Sequence, residues 1–372
     1  MKKNKINLEF FSKPKPKILN RMHSSKFSFD RIDLYSNEPC IYISPRTSLI
    51  DKILITDCIN TKFLFINDKI IDQLNKDTLP KTKRLQLINE IKLLSKNGYV
   101  FALIWNSTPS IFGGNEAISK HLAEFLYQTN LDVKFLTFPA LYFAYPMWAP
   151  TPRRTKIYAN QTITLRHKML NGLTINEITK TFKDSTPASA NVYSNKFETN
   201  IKTNNRAIGL ERILYCCPEC ENLCTLYSEY SCIKCRHCCS VFEINNDGKI
   251  LFSKKISNID NIENYQYEVL TKKDFNINEL VRYDSIIQLF TQNCKKSIEI
   301  VVILQIYADK LIATNSVTKK QITIMLDEIN ELQYTFNNTV IIKTKNAKEF
   351  RFYGKNNENL LIIRDLVKIN KN

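Results

Sequence analysis

Two C-x-x-C pairs, Cys217-Pro-Glu-Cys220 and Cys235-Arg-His-Cys238, carry the most specific chemistry in the sequence. Two residues between cysteines let both thiolates face one ion from a tight turn, and two such knuckles supply the four ligands of a tetrahedral zinc. The hydrophobic stretch Val241-Phe-Glu-Ile244 directly follows the second pair and favours the quartet Cys217, Cys220, Cys235 and Cys238. Cys232 is an alternative for one of the four places, and His237, between two cysteines, is expected to face solvent. Four thiolates leave no open coordination position, so the zinc is expected to be structural rather than catalytic. Eight of the 11 cysteines lie between Cys216 and Cys239. Such a dense cluster inside a long chain reads as a metal site in a reducing compartment, not as a disulfide framework.

Charge supplies the next clue. Lys and Arg number 53 against 36 Asp and Glu, a net charge of +17. A surplus of that size suits an anionic partner: nucleic acid, anionic lipid or a phosphorylated substrate. Arg153 and Arg154 either contact such an anion or decorate the surface, and Tyr142, Phe143, Tyr145 and Trp148 are either interfacial rings or core. Residues 1–30 form a basic N-terminal segment with Lys2, Lys3, Lys5, Lys13, Lys15 and Lys17, readable as a solvated terminus or as a contact with lipid heads. With 7 glycines and neither G-x-G-x-x-G nor G-x-x-x-x-G-K-[ST], the sequence excludes the two commonest nucleotide-binding loops. No signal-peptide pattern opens it, and no apolar run approaches the ~18 residues of a membrane span.

The elements that must position these groups follow a regular alternation. Apolar runs at 39–44, 62–66, 99–105 and 133–138 read as strands. Helices are expected at 47–57, at 83–96 with Gly98 as a stop, and around Ile118 to Leu126. Strands separated by helices imply an α/β domain with a largely parallel sheet, whose functional residues sit in the loops after the strands. Residues 155–205 are polar and less regular. From about 295, short strands at 299–304, 310–313, 321–326, 340–343 and 349–352 precede a helix around Leu360 to Val367. That order describes a small β domain closed by a C-terminal helix.

Four segments within this frame resemble a known family. They are Ile41-Tyr-Ile-Ser-Pro-Arg46-Thr-Ser48-Leu-Ile-Asp51; Ile104-Trp-Asn106-Ser-Thr108-Pro109-Ser110 with Gly113-Gly114; Tyr145-Pro146-Met-Trp148 with Arg153-Arg154; and Ala207-Ile-Gly-Leu-Glu211-Arg-Ile-Leu-Tyr215. In this order they resemble the motifs of the glycerophospholipid (1-acylglycerol-3-phosphate) acyltransferases, in particular a bacterial branch that appends a zinc ribbon and a lipid-binding-type β domain. The resemblance implies an acyltransferase-type mixed α/β sheet with flanking helices over 31–205, a zinc ribbon over 206–250, a linker over 251–294 and a PH/GRAM-like β domain over 295–372. It also implies a glycerophospholipid or lysophospholipid ligand, with acyl-CoA or acyl-carrier protein as donor in an active enzyme. The expected location is cytoplasmic, peripheral at the inner face of the membrane.

The departures from the family pattern bear on chemistry. The family's histidine, five residues before the motif aspartate Asp51, removes a proton from the acceptor hydroxyl; here that position is Arg46. A guanidinium stays protonated at any physiological pH and cannot be a base. The resemblance then implies that Asp51 pairs with Arg46. The family glutamate is Asn106, and its phosphate-contacting arginine is Pro109. Ser48, Thr108, Ser110, Arg153 and Arg154 remain as candidate substrate contacts. The leading expectation is an acyltransferase-like, lipid-binding pseudoenzyme. An active enzyme with a non-standard base is one alternative. A zinc-ribbon nucleic-acid binder is the other, disfavoured because no RNA-recognition or helix-turn-helix signature occurs and the basic residues are dispersed.

Overall fold

The computed structural model describes residues 9–14, 27–36, 38–106, 109–114, 117–186, 199–252, 255–257, 259–273, 280–293, 296–335, 338–354 and 358–371. The chain divides into two compact units, residues 1–146 with 152–201 and residues 147–151 with 202–372.

The first unit contains, in order, β1 (Phe11–Ser12), β2 (Phe27–Asp30), β3 (Cys40–Ser44), α1 (Asp51–Cys58), β4 (Phe63–Ile66), α2 (Asp68–Asn75), α3 (Lys81–Ser95), β5 (Val100–Ile104), α4 (Lys120–Gln128), β6 (Asp132–Thr137), α5 (Leu141–Ala144), β7 (Thr155–Tyr158), β8 (Asn160–Leu165), α6 (His167–Leu170) and α7 (Ile175–Asp184). Six strands form one sheet in the order β1-β4-β5-β3-β6-β8. The four central strands run parallel, and both edges are antiparallel. The sheet is therefore mixed. A separate parallel pair joins β2 to β7.

The central strands read as continuous apolar runs because both faces of the sheet are covered. Ile41, Ile43, Phe101 and Leu103 join one core with α3, α4 and α7. Their alternating neighbours Cys40, Tyr42, Val100 and Ala102 join a second core with α1. Burying each large aliphatic side chain contributes about 1.5–3 kcal/mol, so this alternation fixes the register firmly. In α3 the buried face is Leu87, Ile88, Ile91 and Leu94. Leu85 and Leu93, which sequence periodicity placed on that face, are more than half exposed.

Two expectations for this unit are corrected. Within the segment assigned to a basic terminus, Phe10 and Phe11 are fully buried and β1 pairs with β4, because two adjacent aromatic rings are worth more in the core than in water. Lys2, Lys3, Lys5, Lys15 and Lys17 lie outside the described residues. The polar region after residue 155 supplies two strands as well as helices. Its β8 alternates half-buried and exposed positions at the sheet edge, which leaves little apolar signal to read.

The second unit contains β9 (Leu226–Glu229), β10 (Cys232–Cys235), β11 (Val241–Ile244), β12 (Ile250–Phe252), β13 (Lys255–Ser257), α8 (Ile259–Lys272), β14 (Leu280–Asn293), β15 (Lys296–Tyr307), β16 (Lys310–Asn315), β17 (Gln321–Met325), β18 (Ile329–Thr335), β19 (Thr339–Thr344), β20 (Glu349–Gly354) and α9 (Ile362–Lys371). Five strands form an antiparallel sheet in the order β13-β12-β11-β10-β9, and seven form another in the order β17-β16-β15-β14-β20-β19-β18. The linker expected over 251–294 is not a linker. It carries α8 and β14, the central strand of the seven-stranded sheet. Irregularities in the β14–β15 register between Leu280 and Arg282 and between Asp284 and Ile287 break the two-residue repeat that would have revealed it.

Candidate active site and metal centre

The carboxyl ends of adjacent parallel strands β3 and β5 launch the two loops that hold the first two acyltransferase-like segments. Backbone pairing continues one step past the strands, where the Trp105 amide donates to the Ser44 carbonyl at 3.2 Å. Asn106 then uses both ends of its side-chain amide on residue 46. Its Oδ1 accepts from the Arg46 amide at 2.6 Å, and its Nδ2 donates to the Arg46 carbonyl at 3.4 Å. The Ser110 amide donates to the same carbonyl at 3.1 Å. Tyr142 braces the loop from another side, its hydroxyl donating to the Ile111 carbonyl at 2.8 Å. Asn106 is thus a staple between the two loops. A glutamate could not play this part, since an ionised carboxylate accepts but does not donate.

Asp51 opens α1 and is almost completely buried, with 1% exposure. Its carboxylate accepts from the Ser48 amide at 2.8 Å, the Thr47 hydroxyl at 3.0 Å and the Thr47 amide at 3.3 Å. Burial pushes its pKa up to about 6, against the opposing pull of these hydrogen bonds and of the Arg46 charge. The expected Arg46–Asp51 pair does not form. The Arg46 guanidinium lies 3.7 Å from Asp68, the first residue of α2, and Lys52 meets the same carboxylate at 2.8 Å. The physical reason is solvation: the half-exposed Asp68 can host two cations at little desolvation cost, whereas Asp51 already has backbone donors.

The remaining candidates divide. Ser48 is buried, and its hydroxyl donates to the Tyr145 carbonyl at 2.9 Å, a tie within the fold. Ser110 is half-buried, Arg153 is 5% exposed and Arg154 is exposed, so the arginine pair does not present one joint surface. Thr108 lies outside the described residues. Tyr142, Phe143 and Trp148 are fully buried, which resolves them as core rings. Among the histidines, His121 meets Asp77, His167 stacks on Tyr127 and His237 is exposed beside Asn222; His23 lies outside the described residues. In the fourth segment Gly209 takes φ +92, and a Cβ there would stand 2.4 Å from the Trp148 carbonyl oxygen, so only glycine fits.

The metal centre is built by two matching turns. In the first, the Glu221 amide donates to the Cys217 carbonyl at 2.9 Å and the Cys217 amide to the Asn222 carbonyl at 3.0 Å. In the second, Cys239 donates to Cys235 at 3.1 Å and Cys235 to Ser240 at 3.0 Å. Glu221 and Cys239 occupy the same left-handed position, with φ 57 and 61. The sulfurs of Cys217, Cys220, Cys235 and Cys238 all lie within 4.8 Å of one another. Cys217 and Cys238 are 3.7 Å apart, Cys220 and Cys235 3.8 Å. A zinc–sulfur length of about 2.3 Å gives a tetrahedron edge of about 3.8 Å, so the site fits zinc. Cys232, at the far end of β10, is not in the group.

Polar groups around the sulfurs support thiolates. Thr225 lies 3.2 Å from Cys235, the His237 amide donates to the same sulfur at 3.4 Å, and Ser240 is 3.2 Å from Cys238. Burial works against the Cys235 thiolate, but these donors outweigh it and bring the thiol down to about 6. Bound zinc would cross-link the two knuckles and would have no free position for a substrate.

No protein-family model matches the chain, and no curated protein gives a significant match. Solved structures do. The 1-acyl-sn-glycerophosphate (LPA) acyltransferase PlsC from Thermotoga maritima is 18% identical, with TM-score 0.30, over 43% of this chain and 73% of that one. The C-terminal domain of an unknown protein from Leishmania infantum is 15% identical, with TM-score 0.17, over 26% and 84%. Dcp1p is 15% identical, with TM-score 0.20, over 27% and 92%. Likeness at these levels carries no weight by itself, and the function must be argued from the residues.

Proposed function

We propose that this protein is a lysophospholipid acyltransferase-like protein that binds a glycerophospholipid at an anionic membrane surface and lacks the family's ordinary acyl-transfer chemistry. The reading rests on one observation: the residue five before Asp51 is a guanidinium salt-bridged to Asp68, so the position that should accept a proton already holds a permanent cation. Loss of a general base costs about 10²–10⁴ in rate. The net charge of +17 supports a negatively charged surface as partner, and no described helix is long and apolar enough to cross a membrane.

A second reading has its own support. Asp51, with its pKa pushed up to about 6, falls in the range useful for a general base near neutral pH, which would make the enzyme active by an unusual route. Against it, the carboxylate is buried and already accepts from Thr47 and Ser48.

One assay separates the two. Purified protein is given lysophosphatidate with acyl-CoA, and separately with acyl-carrier protein, while co-sedimentation with anionic vesicles is followed in parallel. The expected result is vesicle binding with no turnover at ordinary enzyme rates of about 1–10³ s⁻¹. Turnover in that range, abolished by Asp51→Asn, would establish the second reading instead. Failure to bind vesicles, with salt-sensitive binding to a nucleic-acid duplex, would defeat both.

A further inference from the structure

A cavity of about 800 Å³ opens in the first unit, walled by the turn between α2 and α3, by α4 and by the start of α7. It shares none of the acyltransferase-like motif residues. Its volume falls within the ~300–1,000 Å³ typical of small-molecule sites. Two of its cations are Lys81 and Lys120, the first residues of α3 and α4, both exposed. Among the described residues neither has a salt-bridge partner.

The acids that line the cavity are already engaged. Asp77 receives Arg84 at 2.8 Å and faces His121 at 3.4 Å, and Glu124 lies 3.8 Å from Arg84. Arg84 is largely buried, and its Nε has no hydrogen-bond partner. The cavity is therefore left with a cationic side. The other side is apolar and reaches solvent: Leu173 is exposed, and Ile175 and the ring of Tyr127 are half-buried.

We propose that this cavity is a binding site for a small amphiphilic anion, its charged group held by Lys81 and Lys120 and its hydrocarbon part laid against Leu173, Ile175 and Tyr127. An inorganic anion would satisfy the lysines but leave the apolar wall in water. A neutral amphiphile would cover the wall and leave the cations without partners. The site stands apart from the acyltransferase-like loops, and it does not depend on the function proposed for them.

Calorimetric titration of the full chain with octyl phosphate tests the assignment, with inorganic phosphate and octyl glucoside as the single-feature probes. Lysine acetylation read by mass spectrometry supplies site resolution, so binding at the acyltransferase-like loops cannot be mistaken for binding here. Octyl phosphate is expected to bind saturably and to protect Lys81 and Lys120 from acetylation while leaving Lys343, on β19, unchanged. Each single-feature probe should bind more weakly by about tenfold, and so should octyl phosphate to the combined Lys81→Ala, Lys120→Ala protein. Both lysines are exposed, so the variant keeps its fold. Unprotected Lys81 and Lys120 at saturation, equal affinity for inorganic phosphate or octyl glucoside, or undiminished binding by the variant would each overturn the proposal.

Discussion

Arginine at position 46 is held by its backbone and turned away from Asp51 by its side chain. The backbone of residue 46 is held by Asn106 and Ser110, and its side chain turns to Asp68, leaving Asp51 to its own loop. The burial of Asp51 gives a pH dependence with a definite sign. Asp51 has a folded pKa near 6, above the ordinary carboxylate value of about 3.9, so the folded state binds the proton more tightly than the unfolded chain. Its stability contribution is greatest below about pH 4 and is lost as pH rises through 6, on the order of 2–3 kcal/mol in all. Urea unfolding of the parent and of Asp51→Asn across pH 4–7 should show the variant gaining on the parent as pH rises. A constant difference would mean the Thr47 and Ser48 donors fully offset the burial. The sequence revealed that position 46 cannot be a base, because that follows from residue type. The choice of Asp68 as partner depended on side chains brought together from different strand ends.

Each metal knuckle folds locally, through one left-handed residue and a pair of backbone hydrogen bonds, and this local origin is why the C-x-x-C spacing was readable. The same logic predicts which cysteines matter. Cys220→Ser should abolish stoichiometric zinc measured by atomic absorption, whereas Cys232→Ser and Cys239→Ser should keep it. Zinc retained by Cys220→Ser and lost by Cys232→Ser would show that Cys232 is a ligand instead. Among the elements that sequence periodicity overlooked are β8, β14 and β18. β8 and β18 intersperse polar with apolar residues, so neither forms a continuous apolar run, and β14 carries register irregularities that break its two-residue repeat. Strand propensity there is supplied by neighbouring strands, not by the segment itself.

At the scale of the whole molecule, the residues just before the first knuckle are tied by hydrogen bonds to α8 and α9 of the second unit. The Tyr215 amide donates to Gln266 on α8 at 3.1 Å, and Gln266 donates back to the Ile213 carbonyl at 3.1 Å. The Tyr215 hydroxyl donates to Asp365 on α9 at 2.9 Å, and Arg364 bridges Asp365 and Glu263 at 2.7 and 3.0 Å. Asp365 is fully buried, so removing one donor leaves a charged acceptor short of a partner. Tyr215→Phe should destabilise the protein by about 1.5–3 kcal/mol. Amide hydrogen exchange should also speed up in α9, 150 residues away in sequence from Tyr215. Unchanged exchange in α9 would show that the helix is held by its apolar face alone.

The sequence by itself determined the two C-x-x-C knuckles, the α/β alternation of the first unit and the presence at position 46 of a guanidinium that cannot act as a base. All three depend on residue type or on spacing of a few residues, and such information is local. The tertiary structure decided the cysteine quartet over its Cys232 alternative, the pairing of Arg46 with Asp68, the stapling role of Asn106 and the burial of Arg153 beside an exposed Arg154. Those outcomes turn on which side chains meet across strand ends and on how much water each retains. Burial and long-range contact are properties of the folded chain, and no short stretch of sequence encodes them.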